Sequence, residues 1–143
     1  MVVILSPKDA FACINKNDLS TKHVTENFMW KEFLVNQTEK PALDVLINIQ
    51  KVALILEQYR KTYFKNNQVT ITSGWRSDKY NSAIPGSAKK SLHIKGLAVD
   101  FVVKDFSPQE VQEMLDPIHF GGMEFAPTWT HIDLRGYGDR FKP

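Results

Sequence analysis

His93 and Asp100 stand seven positions apart with Gly96 between them, in the segment Ser91-Leu92-His93-Ile94-Lys95-Gly96-Leu97-Ala98-Val99-Asp100. A continuous strand would separate the two side chains by about 23 Å and point them to opposite faces. On a helix they would share a face but lie about 10 Å apart. Two atoms that each sit about 2.0–2.2 Å from one metal ion cannot be so far apart, so if both bind, the chain folds back between them. Gly96 lies where that reversal would go, since glycine adopts positive φ at little steric cost. Further on, Thr130-His131-Ile132-Asp133 supplies a second imidazole, 31 residues after Asp100. Two imidazoles and a carboxylate from two separate places form the ligand set with which catalytic zinc sites keep a fourth position open for water. The pattern points to a metallohydrolase.

The flanking residues fit strands. Leu97, Val99, Phe101 and Val103 alternate with Ala98, Asp100 and Val102, giving one apolar face and one face that carries the carboxylate. From Trp129 to Leu134 the same period places Trp129, His131 and Asp133 on one face and Thr130, Ile132 and Leu134 on the other. The third ligand is therefore expected on a neighbouring strand.

In these blocks the chain resembles the zinc peptidases of the M15 type, the D-alanyl-D-alanine carboxypeptidase-like family that includes bacteriophage endolysins. The family pattern S-x-H-x-x-G-x-A-x-D is met by Ser91, His93, Gly96, Ala98 and Asp100. Thr72-Ser73-Gly74-Trp75-Arg76-Ser77 is similar to its T-S-G-[YW]-R-S stretch, and Gly121-Gly122 before His131-Ile132-Asp133 to its G-G…H-x-D ending. His23-Val24-Thr25 followed by Trp30-Lys31-Glu32-Phe33 resembles the segment before the long helix in many members, so the likeness runs over about residues 20–136. It implies Zn2+ as cofactor, His93, Asp100 and His131 as ligands, and hydrolysis of peptidoglycan stem peptides. The bond type stays open between D-Ala-D-Ala carboxypeptidase and L-Ala-D-Glu or cross-bridge endopeptidase.

A histidine beside apolar residues is ordinarily a hydrogen-bonded structural group. The shared motif sets His93 and His131 apart from His23, which reads as a capping or packing residue before a helix, and from His119, which follows Pro117 in a connection. Arg76 has a bland reading as a surface charge, yet a guanidinium suits bidentate capture of a carboxylate, and the resemblance gives it contact with the substrate or its oxyanion. Ser91 is a candidate substrate contact or a turn residue that satisfies backbone groups.

The general base is the weak link. Relatives often carry Glu or His one to five residues before the last ligand, whereas positions 126–130 here are Ala, Pro, Thr, Trp and Thr. Asp133, on the same strand face as His131, ranks first as base, with a supporting role for the ligand equally open. Glu124 lies beyond Pro127 and would need that turn to bring it in. The empty window motivates an alternative: a non-catalytic module that binds peptidoglycan or builds a virion while keeping the fold.

Elsewhere, Pro41 is expected to open a long helix to about Lys65, with Leu46, Ile49, Ala53, Leu56 and Tyr63 as its stripe, widened by Leu43, Ile47, Leu54 and Ile55. Ser107-Pro108-Gln109-Glu110 signals a shorter helix through an N-cap serine, proline at the first position and glutamate at the third. Further helices are expected over Thr25–Asn36, with Phe28, Trp30 and Phe33 inward, and over Ser77–Ala83. These elements predict one α+β domain over residues 1–143: a small antiparallel sheet with helices on one face and the zinc site on the other, similar to the Hedgehog and DD-peptidase fold.

Composition agrees with that scale. At 143 residues, 43% hydrophobic and 24% charged, the chain is an ordinary globular one without repeats or low-complexity tracts. Eighteen basic against sixteen acidic residues leave a net charge of +2, too little to argue for nucleic acid. The start, Met1 to Pro7, has a four-residue apolar run with no basic segment ahead of it and fails as a secretory signal. One cysteine, Cys13, allows no internal disulfide. The expectation is a monomer made in the cytoplasm, not inserted in a membrane, that reaches wall peptides in phage lysis, in a virion or in peptide recycling.

Overall fold

A Ser-Pro start builds the first helix, α1 (Pro7–Cys13): the Ser6 hydroxyl accepts the Asp9 N–H at 3.1 Å, and proline takes the opening position. The computed structural model describes residues 1–14, 18–34, 39–88 and 91–142. After α1 comes a two-stranded ribbon, β1 (His23–Thr25) and β2 (Phe28–Met29), then a 3-10 turn over Trp30–Phe33. The expected helix over Thr25–Asn36 is thereby corrected, its last two residues lying outside those described. The N-terminal segment claims this backbone first, with His23 N–H donating to Val3 at 2.8 Å and Leu5 N–H to His23 at 3.0 Å. Phe28, Trp30 and Phe33 still turn inward and are fully buried. His23 correspondingly sits in a strand and caps no helix.

The long helix, α2, runs Leu43–Thr62, so Pro41 precedes the N-cap Ala42 instead of opening the first turn. Its inner stripe is Leu46, Ile49, Val52, Ala53, Leu56 and Tyr59, while Leu43, Ile47 and Leu54 are exposed and do not widen it. Next come β3 (Val69–Ser73), α3 (Asp78–Ala83, capped by the Ser77 hydroxyl) and a 3-10 turn over Leu92–Lys95. β4 (Ala98–Val103) leads into α4 (Pro108–Leu115), whose start carries the expected reciprocal capping of Ser107 and Glu110. β5 (Gly122–Glu124), β6 (Thr130–Asp133) and β7 (Asp139–Phe141) complete the chain.

Five strands form one sheet in the order β3-β4-β6-β5-β7, antiparallel except for the parallel β5-β7 pair. Alternation divides its faces. Val99, Phe101, Val103, Met123 and Ile132 join the α2 stripe and Val111 and Leu115 of α4 in one core. The residues between them, Asp100, Glu124, His131 and Asp133, line a cleft on the other side. This is the expected α+β arrangement. No helix among the described residues is long and apolar enough to cross a membrane.

Candidate metal centre

The reversal between His93 and Asp100 is a capped 3-10 turn. Ser91 Oγ accepts the His93 N–H at 3.2 Å to start it, and Gly96, at φ 75°, ends it in the left-handed conformation. A Cβ at Gly96 would also press on the carbonyl oxygen of Val45 in α2, so glycine meets both a conformational and a spatial demand. Two residues later β4 begins and turns Asp100 back toward His93. Ser91 Oγ lines the cleft but is engaged in this cap.

Register then brings in the other groups. Asp100 pairs directly with His131 across β4-β6, and Glu124 pairs with His131 across β5-β6. One ligand atom each from His93, Asp100 and His131 lie within 4.8 Å of one another. His93 Nε2 is 3.3 Å and His131 Nδ1 2.8 Å from Asp100 Oδ1.

Each imidazole is held by its other nitrogen. His93 Nδ1 donates to the Gly74 carbonyl at 2.7 Å, and His131 Nε2 meets Asp133 Oδ2 at 2.9 Å. These partners fix which nitrogen faces the cluster, Nε2 in His93 and Nδ1 in His131. The Thr72–Ser77 stretch is the scaffold of His93: Gly74 orients its ring, Arg76 N–H donates to the His93 carbonyl at 3.0 Å, and Trp75 Nε1 donates to Ile94 at 2.8 Å.

Asp133 is wholly buried, and its two oxygens accept five hydrogen bonds. Oδ1 takes Gly122 N–H at 2.9 Å, Arg135 N–H at 3.2 Å and Arg135 Nε at 2.8 Å; Oδ2 takes Arg135 Nη2 at 2.7 Å and His131 Nε2. About four lone-pair sites are available on a carboxylate, so this one is saturated. Glu124 lies differently. It reaches the cleft through its strand, directly opposite His131, with no need of the Pro127 turn. Gln112 of α4 pins the intervening loop by donating to Ala126 at 2.9 Å and Trp129 at 3.1 Å, which holds β5 and β6 in register.

Arg76 stands beside the cluster with its guanidinium loosely held. Nη2 is 3.7 Å from Asp100 Oδ2, Nη1 3.4 Å from Asn81 Oδ1, and Nε 3.2 Å from Ser73 Oγ. His119 is not part of the cluster. It is buried between the Tyr59 hydroxyl, 2.7 Å from Nδ1, and the Asp133 carbonyl, 3.0 Å from Nε2. His23 lies on β1, away from the cleft lining.

The cluster's electrostatics follow from this packing. Burial alone would raise the pKa of Asp100, but hydrogen bonds from His131 and His93 outweigh it and hold the carboxyl well below its ordinary range. Burial would lower that of His131, yet Asp100 and Asp133 on either side push it up to about 9. Asp133 is likewise held low, by His131 and Arg135 against the effect of burial. For Glu124 burial dominates and raises the carboxyl. Two imidazole nitrogens, each with its partner nitrogen already engaged, and one ionised oxygen fit a zinc ion by donor type and by spacing.

Sequence reasoning ranked Glu124 behind Asp133 as a candidate base because it expected the Pro127 turn to be needed. The signal that finds it is the register across the β5-β6 hairpin, a tertiary feature. Arg135 went unremarked altogether, although it follows Asp133 by two positions.

Comparison with known proteins places the chain in a family. A segment of 75 residues is 31% identical to a curated protein of Haemophilus influenzae named probable peptidoglycan L,D-endopeptidase MepK, covering 48% of this chain and 40% of that protein. The chain thus matches less than half the length of that relative. The family description Peptidase M15 matches residues 24–133, a span that contains Arg76, His93, Asp100, Glu124, His131 and Asp133. With most of its length matched and the expected motifs folded into one cluster, the chain belongs to the Peptidase M15 family.

Proposed function

We propose that the protein is a zinc-dependent peptidase of bacterial cell-wall peptides, of the endopeptidase type. The observation that carries the reading is the convergence of His93, Asp100 and His131 within 4.8 Å, each imidazole oriented by a separate partner, in a cleft of about 640 Å3. Clefts of this size suit a peptide ligand. The endopeptidase type and the peptidoglycan substrate rest on the name of the Haemophilus relative.

Zinc held by these three residues would supply Lewis acidity and an acidified water. The remaining chemistry belongs to the chain. Glu124, opposite His131 and with its pKa raised by burial, takes the proton from the attacking water and passes it to the leaving amine. Arg76 has donors to spare and orients the scissile carbonyl, stabilising charge as it develops on oxygen. Asp133 is saturated with donors and serves to hold His131, in place of the base role that the sequence first suggested.

The test is metal analysis of the purified protein together with digestion of purified muropeptides read by mass spectrometry. The reading expects about one zinc per chain and cuts inside the stem peptide or cross-bridge. Release of terminal D-alanine alone would make it a carboxypeptidase. Zinc-loaded protein that binds muropeptides and leaves them intact would instead support the non-catalytic module.

A further inference from the structure

We propose that Arg135 is a positioning residue for the metal ligand His131, acting through Asp133. The inference rests on the reading of His131 as a zinc ligand. Arg135 lies just beyond the matched family segment, and its guanidinium uses its planar fork in full: Nε meets Asp133 Oδ1 at 2.8 Å and Nη2 meets Oδ2 at 2.7 Å. The remaining nitrogen, Nη1, meets Asp139 Oδ2 at 2.6 Å. One flat group therefore fixes the rotation of a carboxylate that has no access to solvent, and one oxygen of that carboxylate fixes His131 Nε2.

Packing reinforces the fork. The guanidinium carbon lies 5.2 Å from the centroid of the Phe141 ring, and that ring stands edge-on to His131 at 5.6 Å. Phe141 comes from β7, which pairs with β5, so the last strand closes a frame around Arg135, Asp133 and His131. Without the fork, Asp133 would keep two backbone N–H groups on Oδ1 but lose its counter-charge and the donor that shares Oδ2 with His131, so the hold on the ring would loosen. Lysine cannot replace this role, because a single ammonium cannot span both oxygens in the same geometry.

The experiment compares wild type with Arg135→Met, Arg135→Lys, Asp139→Asn and His131→Ala. Zinc affinity is read by chelator competition, the exchangeable His131 Nε2 proton of the zinc-loaded protein by NMR, and the melting temperature on metal-free protein. Arg135→Met should weaken zinc binding by about 10–100-fold, the range for residues that support a ligand, and speed exchange of the Nε2 proton. Arg135→Lys should fall between Met and wild type in both readouts. Asp139→Asn leaves the fork intact and should change affinity by no more than about fivefold, the scale of a surface ion pair. A lower melting temperature in Arg135→Met with zinc affinity and the Nε2 proton unchanged would overturn the proposal by making Arg135 merely structural. Should the Met variant fail to fold, wild-type affinity and exchange in Arg135→Lys would overturn it equally. Wild-type zinc affinity in His131→Ala would mark the failure of the ligand reading itself.

Discussion

Replacing Asp133 by asparagine separates the two roles open to this residue, and the structure sets the size of the effect. Asn keeps one acceptor oxygen and turns the other into an NH2 donor. If the amide faces Arg135 Nη2 and His131 Nε2, two donors oppose it; if it faces the other way, three do. The first orientation therefore wins and sacrifices two charge-assisted hydrogen bonds, each worth about 1.5–3 kcal/mol. The metal-free protein should lose about 3–5 kcal/mol, as expected when a buried ion pair loses one partner. Opposite an NH2 group, the neutral His131 ring prefers to accept at Nε2 and carry its proton on Nδ1, the atom that faces Asp100. Zinc has to reverse that preference, which should weaken its binding by about 10–100-fold. Urea unfolding without metal, chelator competition and muropeptide turnover at saturating zinc measure the three quantities, and added zinc should restore most of the rate. Wild-type stability and zinc affinity combined with a turnover rate reduced by about 10²–10⁴-fold would refute this reasoning and return the base role to Asp133.

Glu124→Gln should cut turnover by about 10²–10⁴-fold while zinc affinity stays near wild type; an unchanged rate on muropeptides would remove Glu124 from the mechanism. Arg76→Lys keeps the charge and loses the planar fork, so it should lower activity far more than zinc content; equal losses of both would make Arg76 structural. In the metal-free protein, His131 is raised from its usual ~6.5 to about 9, so its contribution to stability is complete below about pH 6.5 and lost as pH rises through 9. Asp100 and Asp133 are lowered, so theirs is complete above about pH 4 and lost as pH falls through the acid range. The metal-free urea midpoint should therefore peak between about pH 4 and 6.5, and zinc uptake at pH 7 should release a proton from His131; a midpoint that climbs from pH 6.5 to 9 would contradict the assignment.

What could be read from the sequence was local. The His93–Gly96–Asp100 reversal follows from spacing and one glycine, the faces of β4 and β6 from a period of two, and the start of α4 from Ser107-Pro108 and Glu110. Ser6-Pro7 carries the same start signal, and α1 was within reach of the same argument. The Thr25–Asn36 stretch misleads because Trp30 and Phe33, three apart, would neighbour each other on a helix, although Phe28 would fall well off that face. A two-residue reversal at Glu26-Asn27 and a 3-10 turn bury them equally well, and pairing with the N-terminal segment decides the outcome. β7 is three residues long and finds its place only by parallel pairing with β5, so no period announces it. The same holds for Glu124, whose position opposite His131 depends on hairpin register and on a glutamine from α4.

The Gly121-Gly122 pair shows why a short motif can encode a tertiary arrangement. Gly121 has φ 145°, and a Cβ there would overlap the carbonyl oxygen of Asp133; a Cβ on Gly122 would occupy the space of the Asp133 carboxylate and Arg135 Nε. The glycines leave room for the group behind His131, and Gly122 N–H then bonds that group directly. The Asp133 backbone is held from the opposite side. His119 Nε2 donates to its carbonyl, which leaves Nδ1 as acceptor for the Tyr59 hydroxyl of α2. Burial lowers the pKa of His119 and raises that of Tyr59 to about 12, so both stay neutral and the direction of this chain is fixed near pH 7. Asp133 is thus clamped through its side chain by Arg135 and through its main chain by His119, and the aim of His131 depends on the core helix as well as on the sheet.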